Sequence, residues 1–308
     1  MTGGGAHPGR GPYVVLSGAC GTELERRGAP TPLPLWSAAA LTEAPHLVRE
    51  VHRDHVRAGA AVVTANTFRT IRRTLAKVGR AGEARALVKT AVRLAREGIA
   101  EAAPTHRVLV AGSVAPLEDC FRPDLVPGDA ELRAEHGLRV GDLVAAGADF
   151  AMVETMNTVR EATAALGACR AARLPAAVSF TCAAGARVLS GEALADAVRA
   201  VAPFEPLAIL VNCCPLAVAG EALDALLAHA GAIPTGVYAN GLGRPDAADG
   251  WRFEPGCGAD REAYAAAARG WLARGARWVG GCCGTTPETV ADLCALVDQA
   301  TGRPRPRG

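Results

Sequence analysis

The stretch Gly275-Ala276-Arg277-Trp278-Val279-Gly280-Gly281-Cys282-Cys283-Gly284-Thr285-Thr286-Pro287-Glu288 holds one strand, one reactive loop and the borders of two helices. Gly275 closes a helical run, because helices commonly end in a left-handed residue that glycine adopts without strain. Positions 277–279 have strand character. Thr286-Pro287-Glu288 opens the next helix, with proline in the first turn, where its missing N–H costs nothing. Between strand and helix lies a loop of small residues that carries two adjacent thiols.

The same unit recurs about eight times along the 308 residues. Short apolar, often β-branched runs at 13–16, 61–64, 108–111, 150–153, 176–180, 207–211, 235–238 and 277–279 read as strands. Amphipathic runs at 42–58, 83–102, 131–146, 159–172, 192–201, 221–230, 260–274 and 287–299 read as helices. Thr42, Glu43 and Pro45 mark a helix start, and Gly59, Gly147 and Gly275 each stand between a helix and a strand. Eight strand and helix pairs predict a single α/β (β/α)8 TIM-type barrel over 13–302, with flexible tails at 1–12 and 303–308. A doubly wound open sheet is the competing arrangement.

In such barrels reactive groups collect at the C-terminal strand ends. The residues at or just past those ends are Ser17-Gly18, Asn66-Thr67, Gly112-Ser113, Glu154-Thr155, Thr181-Cys182, Asn212-Cys213, Asn240-Gly241 and Gly281-Cys282-Cys283. Nearly every end is polar or thiol-bearing, as a site at that face requires. Cys213 in Val-Asn-Cys-Cys-Pro and the Cys282-Cys283 pair together suggest a metal centre, and soft thiolates select Zn²⁺ over Mg²⁺ or Ca²⁺. Cys169 and Cys294 lie in helical stretches rich in Ala and Leu and read as small core residues.

Composition narrows the class. Half of the residues are hydrophobic and 21% are charged, enough apolar material for a large core. Net charge is +2 from 33 basic and 31 acidic residues, with no basic run to favour nucleic acid. No apolar run approaches the roughly 20 residues that span a bilayer. Ten cysteines without a secretory signal predict a reducing, cytoplasmic setting in which thiols stay free.

Gly18-Ala19-Cys20-Gly21-Thr22-Glu23-Leu24, Pro34-Leu35-Trp36-Ser37, Thr64-Ala65-Asn66-Thr67-Phe68, Gly112-Ser113-Val114-Ala115-Pro116, Val153-Glu154-Thr155, Val211-Asn212-Cys213 and Gly280-Gly281-Cys282-Cys283-Gly284 occur in this order. The pattern resembles the zinc-dependent homocysteine S-methyltransferase family, from about residue 14 to about residue 297. The resemblance implies a barrel, one Zn²⁺ on Cys213, Cys282 and Cys283, and methyl transfer to the sulfur of homocysteine to give methionine. Cys214 competes with Cys213 for the first ligand position, and buried thiols without a metal are the plain alternative. The implied donors are small onium compounds, S-methylmethionine or S-adenosylmethionine, because 308 residues leave no room for separate folate and cobalamin domains.

Chemistry gives each implied residue a task. A free thiol has a pKa of about 8.5 and is mostly protonated at neutral pH, whereas metal coordination deprotonates it. Glu154, the candidate catalytic carboxylate, would bind the ammonium of the acceptor through a charge-assisted hydrogen bond; a solvated loop acid is the bland reading. Backbone N–H groups around Gly18, Ala19 and Cys20 would receive the acceptor's carboxylate, unless that segment is a plain tight turn. Asn66, Thr67, Ser113 and Asn240 would line the pocket or hold its loops, and Trp36 would close over a substrate or pack in the core. Relatives usually carry Asp where this chain has Ser17, which leaves a different small thiol acceptor as a second reading. A catalytically silent zinc-binding or sensing barrel is the rival of another class. His52, His55 and His136 lie in helical stretches and read as solvated or packing residues.

Overall fold

Eight parallel strands form the core of the computed structural model, which describes residues 12–241 and 260–302. They are β1 (Val14–Val15), β2 (Val62–Ala65), β3 (Leu109–Val114), β4 (Phe150–Met156), β5 (Ala176–Phe180), β6 (Ile209–Asn212), β7 (Thr235–Tyr238) and β8 (Trp278–Val279). Hydrogen bonding runs in the order β1-β8-β7-β6-β5-β4-β3-β2. A parallel bridge between Leu16 and Val62 then joins the two ends, with Ala61 N–H donating to Val15 O at 2.8 Å and Ser17 N–H to Val62 O at 2.8 Å. The sheet is therefore a nearly closed (β/α)8 barrel, and the open doubly wound alternative is excluded.

The outer layer contains α1 (Pro45–Arg57), α2 (Ala84–Ala102), α3 (Asp129–Ala146), α4 (Val159–Ala171), α5 (Leu194–Val201), α6 (Leu216–His229), α7 (Arg261–Arg274) and α8 (Pro287–Thr301). Their termini follow the expected chemistry. Thr158 caps α4 by accepting from Glu161 N–H, and Asp260 caps α7 by accepting from Glu262 and Ala263 N–H. Pro287 occupies the first turn of α8, and Gly59, Gly147 and Gly275 all take positive φ, at 108°, 78° and 115°. The proposed tails fall largely outside the described residues. Among those described, no helix is long and apolar enough to cross a membrane.

Side-chain alternation along the strands separates two cores. Val15, Val153, Val178, Val211 and Val237 face outward and pack with α-helical Val140, Leu143, Leu166, Leu223 and Leu293. Leu16, Val62, Ala111, Phe150, Met152, Ala177, Leu210 and Trp278 face inward and form a separate cluster. Phe150 and Trp278 meet edge to face there, with centroids 6.1 Å apart. Burying each such large side chain contributes roughly 1.5–3 kcal/mol. Two residues further along the strands, the inward positions hold Thr64, Ser113, Glu154, Ser179, Asn212 and Tyr238. The apolar plug thus ends in a polar layer at the C-terminal face.

Several boundaries differ from expectation. β3 and β4 continue to Val114 and Met156, so Ser113, Glu154 and Thr155 lie within strands and not beyond them. The helix expected over 42–58 breaks at Ala44, which adopts φ −144° and ψ 53° before Pro45; the proline ring disfavours helical geometry in its predecessor. α6 begins at Leu216, five residues early, because Pro215 in extended geometry starts it. Two short helices, Gly21–Arg26 and Arg72–Ala76, and an antiparallel ribbon pairing Cys182–Ala183 with Arg187–Val188 fill loops at the site face. These carry too few residues for a periodic signal.

Candidate active site and metal centre

Cys213, Cys282 and Cys283 converge at the ends of β6 and β8, with their sulfur atoms all within 4.8 Å of one another. A tetrahedral zinc with bonds of about 2.3 Å would place such sulfurs about 3.8 Å apart, so one ion fits among them. Three protein thiolates leave a fourth position open, as a catalytic site needs. Cys214 packs instead in the outer core between strands and helices, which favours Cys213 as the β6 thiol that can take part.

The local backbone explains the convergence. Cys213 takes a left-handed conformation, φ 52°, and Thr181 Oγ1 donates to its carbonyl at 3.2 Å. The loop after β8 is fixed by Cys282 N–H to Ala239 O at 2.9 Å, Thr285 Oγ1 to Cys282 O at 2.7 Å and Gly241 N–H to Cys283 O at 2.8 Å. Gly281 is required there, since a Cβ would stand 2.2 Å from Thr285 Oγ1. The Cys282 pKa is held well below the usual thiol value, first by the hydrogen bond from Cys213 and then by that from Cys283, while the Cys213 and Cys283 thiols are pushed up.

Across the cavity Glu154 is 8% exposed, and burial pushes its pKa up to about 7 despite the opposing hydrogen bond from Ser113. Ser113 Oγ donates to Oε1 at 2.5 Å and Tyr238 OH to Oε2 at 3.2 Å. Both oxygens are thereby aimed. Behind Ser113 the buried Arg139 of α3 donates to Ser113 O at 2.9 Å, to Thr70 O at 3.1 Å, to Thr70 Oγ1 at 2.6 Å and to Thr67 O. Burial lowers the Arg139 pKa to about 9, so it stays charged at neutral pH and ties β2 and β3 loop ends together.

The glycine-rich turn after β1 forms the third wall. Gly18 N–H donates to His55 Nδ1 at 3.4 Å and Ala19 N–H to Thr285 Oγ1 at 3.1 Å, so two of the three backbone donors offered by the sequence serve the protein itself. With Nδ1 accepting, His55 Nε2 carries the proton and donates to Ala19 O at 3.1 Å. Burial lowers the pKa of His55 and holds it neutral. His55 is thus a brace for the turn and not a solvated residue. His52 is equally buried, and His136 pairs with Glu161 Oε1 at 3.2 Å inside the outer layer.

One cavity at the C-terminal face is lined by Ser17, Gly18, Ala19, Cys20, Trp36, Asn66, Ser113, Glu154, Cys213, Cys282 and Cys283. Thr67 and Asn240, expected among them, do not line it. Thr67 is fully buried and its Oγ1 donates to Ser113 O at 3.1 Å, while Asn240 N–H donates to Cys214 O at 2.9 Å. Both stand behind the wall, because their strand-end backbones turn them toward neighbouring loops. Tyr238, Phe68, Thr64 and Thr155 line the cavity and were missed by sequence reasoning. For Tyr238 the signal existed: it is the last residue of its strand and shares inward parity with Gly236. Trp36 lines the cavity, and its Nε1–H donates to Glu25 Oε1 at 2.9 Å.

Comparison with known proteins bears on this site. Residues 14–297 match the family model described as homocysteine S-methyltransferase. The homocysteine S-methyltransferase of Escherichia coli is 35% identical over 299 residues, covering 92% of this chain and 94% of that one. The homocysteine S-methyltransferase YbgG of Bacillus subtilis is 32% identical over 307 residues, with coverage of 92% and 94%. Among solved structures, the metallated form of the homocysteine methyltransferase MmuM from Escherichia coli superposes with a TM-score of 0.80 at 32% identity, covering 93% of this chain and 96% of that one.

Proposed function

Because this chain belongs to the homocysteine S-methyltransferase family, we propose that it moves a methyl group from a small onium donor, S-methylmethionine or S-adenosylmethionine, to the thiol of homocysteine, with zinc as cofactor. The observation that carries this reading is that the three sulfurs and Glu154 open into one cavity at the C-terminal face. Cys213, Cys282 and Cys283 would hold the ion. When bound, zinc supplies a Lewis acid that favours thiolate over thiol in the acceptor at neutral pH.

The remaining work falls to the protein's own groups. Glu154, held by Ser113 and Tyr238, binds the acceptor's ammonium and sets the reach of its side chain toward the sulfur-rich end. The Gly18 and Ala19 N–H groups are engaged with His55 and Thr285, so they act by shaping the turn and not by receiving a carboxylate. Trp36, Phe68 and Tyr238 give the cavity aromatic walls, which exclude water and attract an onium cation through their π-faces. Transfer is an in-line displacement: a bond forms from the acceptor sulfur to the methyl carbon, and the donor's carbon–sulfur bond breaks with its electron pair leaving on a neutral sulfide. The thiol proton has already gone to solvent, and no general acid is needed. Positioning at near-attack distance then supplies much of the acceleration.

Incubating zinc-loaded protein with homocysteine and each donor, and assaying methionine, tests the reading. Absence of product with every donor at full zinc occupancy would refute it. A different small thiol as acceptor is the second reading, favoured by Ser17, a neutral residue on the cavity wall that accepts from Thr64 N–H at 3.4 Å. Ser17→Asp should lower the KM for homocysteine if the missing charge matters; an unchanged KM shows that the position is neutral.

A further inference from the structure

Two backbone corners at the site face are strained. Thr155, directly after Glu154, has φ 59°, and Cys213, directly after Asn212, has φ 52°. A β-branched residue in the left-handed region is a true outlier. Such geometry is costly and persists only where the surroundings over-determine it. Thr181 Oγ1 and the Tyr238 carbonyl hold the backbone of Cys213, and one buried side chain ties its strand to the corner at Thr155.

Asn212 is completely buried between the two corners. Its Oδ1 accepts from Thr155 N–H at 3.1 Å and from Ser179 Oγ at 2.9 Å, and its Nδ2 donates to Thr155 Oγ1 at 2.8 Å. The Cys282 sulfur also hydrogen-bonds this side chain. Ser179 Oγ also stands 2.5 Å from Tyr238 OH, and Tyr238 OH stands 3.2 Å from Glu154 Oε2, so two hydroxyl protons are shared among the three contacts from Asn212 to Glu154. A planar group with two acceptor lone pairs and two N–H donors is what these partners require, and only a carboxamide has it. Aspartate, of the same shape, donates nothing.

On the reading that the three sulfurs hold a metal and Glu154 holds the acceptor's ammonium, we propose that Asn212 is a positioning residue: it clasps the corners at Thr155 and Cys213 and so fixes metal ligand and substrate carboxylate in one relative geometry. The clasp acts through neighbours. It fixes the residue that leads directly into Cys213, donates to the Cys282 sulfur from outside the ligand set, and carries Glu154 through Thr155 on one side and through Ser179 and Tyr238 on the other. Partners of this kind set ligand direction and basicity, and their loss typically costs 10–100-fold in metal affinity.

The test loads wild type, Thr155→Ala, Thr155→Ser and Asn212→Asp with Co²⁺, records the thiolate charge-transfer and d–d bands, and measures affinity by chelator competition. Thr155→Ala keeps the backbone N–H but removes Oγ1, and Thr155→Ser restores it. The expected result is shifted d–d bands and affinity weakened about tenfold or more in Thr155→Ala and Asn212→Asp, with Thr155→Ser like wild type, and a matching rise in acceptor KM. Thr155→Ala with the wild-type spectrum and affinity overturns the clasp, even if its melting temperature falls, and this variant decides the matter should Asn212→Asp not fold. Failure of wild type itself to bind Co²⁺ removes the metal reading, a different outcome from failure of the clasp.

Discussion

Replacing Glu154 by Gln isolates the charge that the cavity offers to an amino-acid acceptor. The amide keeps the shape of the side chain; its one oxygen can accept from Ser113 or from Tyr238, and its NH2 must donate to the other hydroxyl, so the wall should hold its form with one hydrogen bond reversed. What disappears is a charge-assisted hydrogen bond in a buried site, worth about 1.5–3 kcal/mol. That converts to a rise of roughly 10- to 150-fold in the KM for homocysteine. The turnover number should stay within about threefold, because the ammonium lies remote from the reacting sulfur. Steady-state methionine formation over a range of homocysteine concentrations, at saturating donor, measures both. Acidity gives an independent reading: with a pKa of about 7, wild-type Glu154 binds the ammonium only once ionised, so kcat/KM should fall about tenfold per unit below pH 7. The Gln variant should lack that limb. Stability runs the other way, since a carboxyl raised above its usual value opposes folding as pH climbs from about 4.5 to about 7, and the variant should be at least as stable as wild type at pH 8. A collapse of turnover with unchanged KM would refute the reasoning, because Glu154 would then act on the chemistry and not on binding.

Cys282→Ala should lose zinc and activity together; stoichiometric metal retained after dialysis would show that the ligands are misassigned. Arg139→Met strips charged donors from the carbonyls of Thr67, Thr70 and Ser113, at a cost of about 1–3 kcal/mol. In a chain of this length that corresponds to a fall of roughly 2–5 °C in Tm by calorimetry, and a fall below about 1 °C would discount the brace. Burial, with a further push from His55, depresses the pKa of His52 to about 3, so the folded protein leaves it neutral while the unfolded chain protonates it near its usual value. Stability should therefore drop as pH falls from about 6.5 to about 3, by up to about 1.4 kcal/mol per unit, and His52→Leu should flatten that limb in denaturant titrations. Equal slopes in the two proteins would contradict this.

The barrel was legible because its signal repeats: strand parity, glycine after helices and proline at helix starts each recur, and Gly59, Gly147 and Gly275 took the left-handed geometry foreseen for them. The thiols were legible because Gly-Gly-Cys-Cys and Asn-Cys are dense local motifs at strand ends. Glu154 and Ser113 could be placed on the wall by the same logic, but the hydrogen bonds that Ser113 and Tyr238 make to Glu154 could not be foreseen, since they close across 41 and 84 residues. For His55 the structure selects the packing reading over the solvated one, a choice the sequence left open because its partners, Gly18 and Ala19, belong to another element. Thr67 and Asn240 have the composition of lining residues, yet a corner of backbone turned each aside. Parity along a strand can be counted; the turn that follows it cannot.

The seam beside the thiols joins the two ends of the described chain. Ala19 N–H meets Thr285 Oγ1 across 266 residues, and Gly284 N–H meets Thr22 Oγ1 across 262. During synthesis the glycine-rich turn emerges long before its partner exists, so this wall of the cavity cannot be completed until the chain has been made past Thr285. Pairings of such separation also come late in folding, after loop-closure entropy has been overcome. The glycine-rich wall is therefore a timestamp for the finished ring, and its loosening should be among the first signs that β1 has parted from β8.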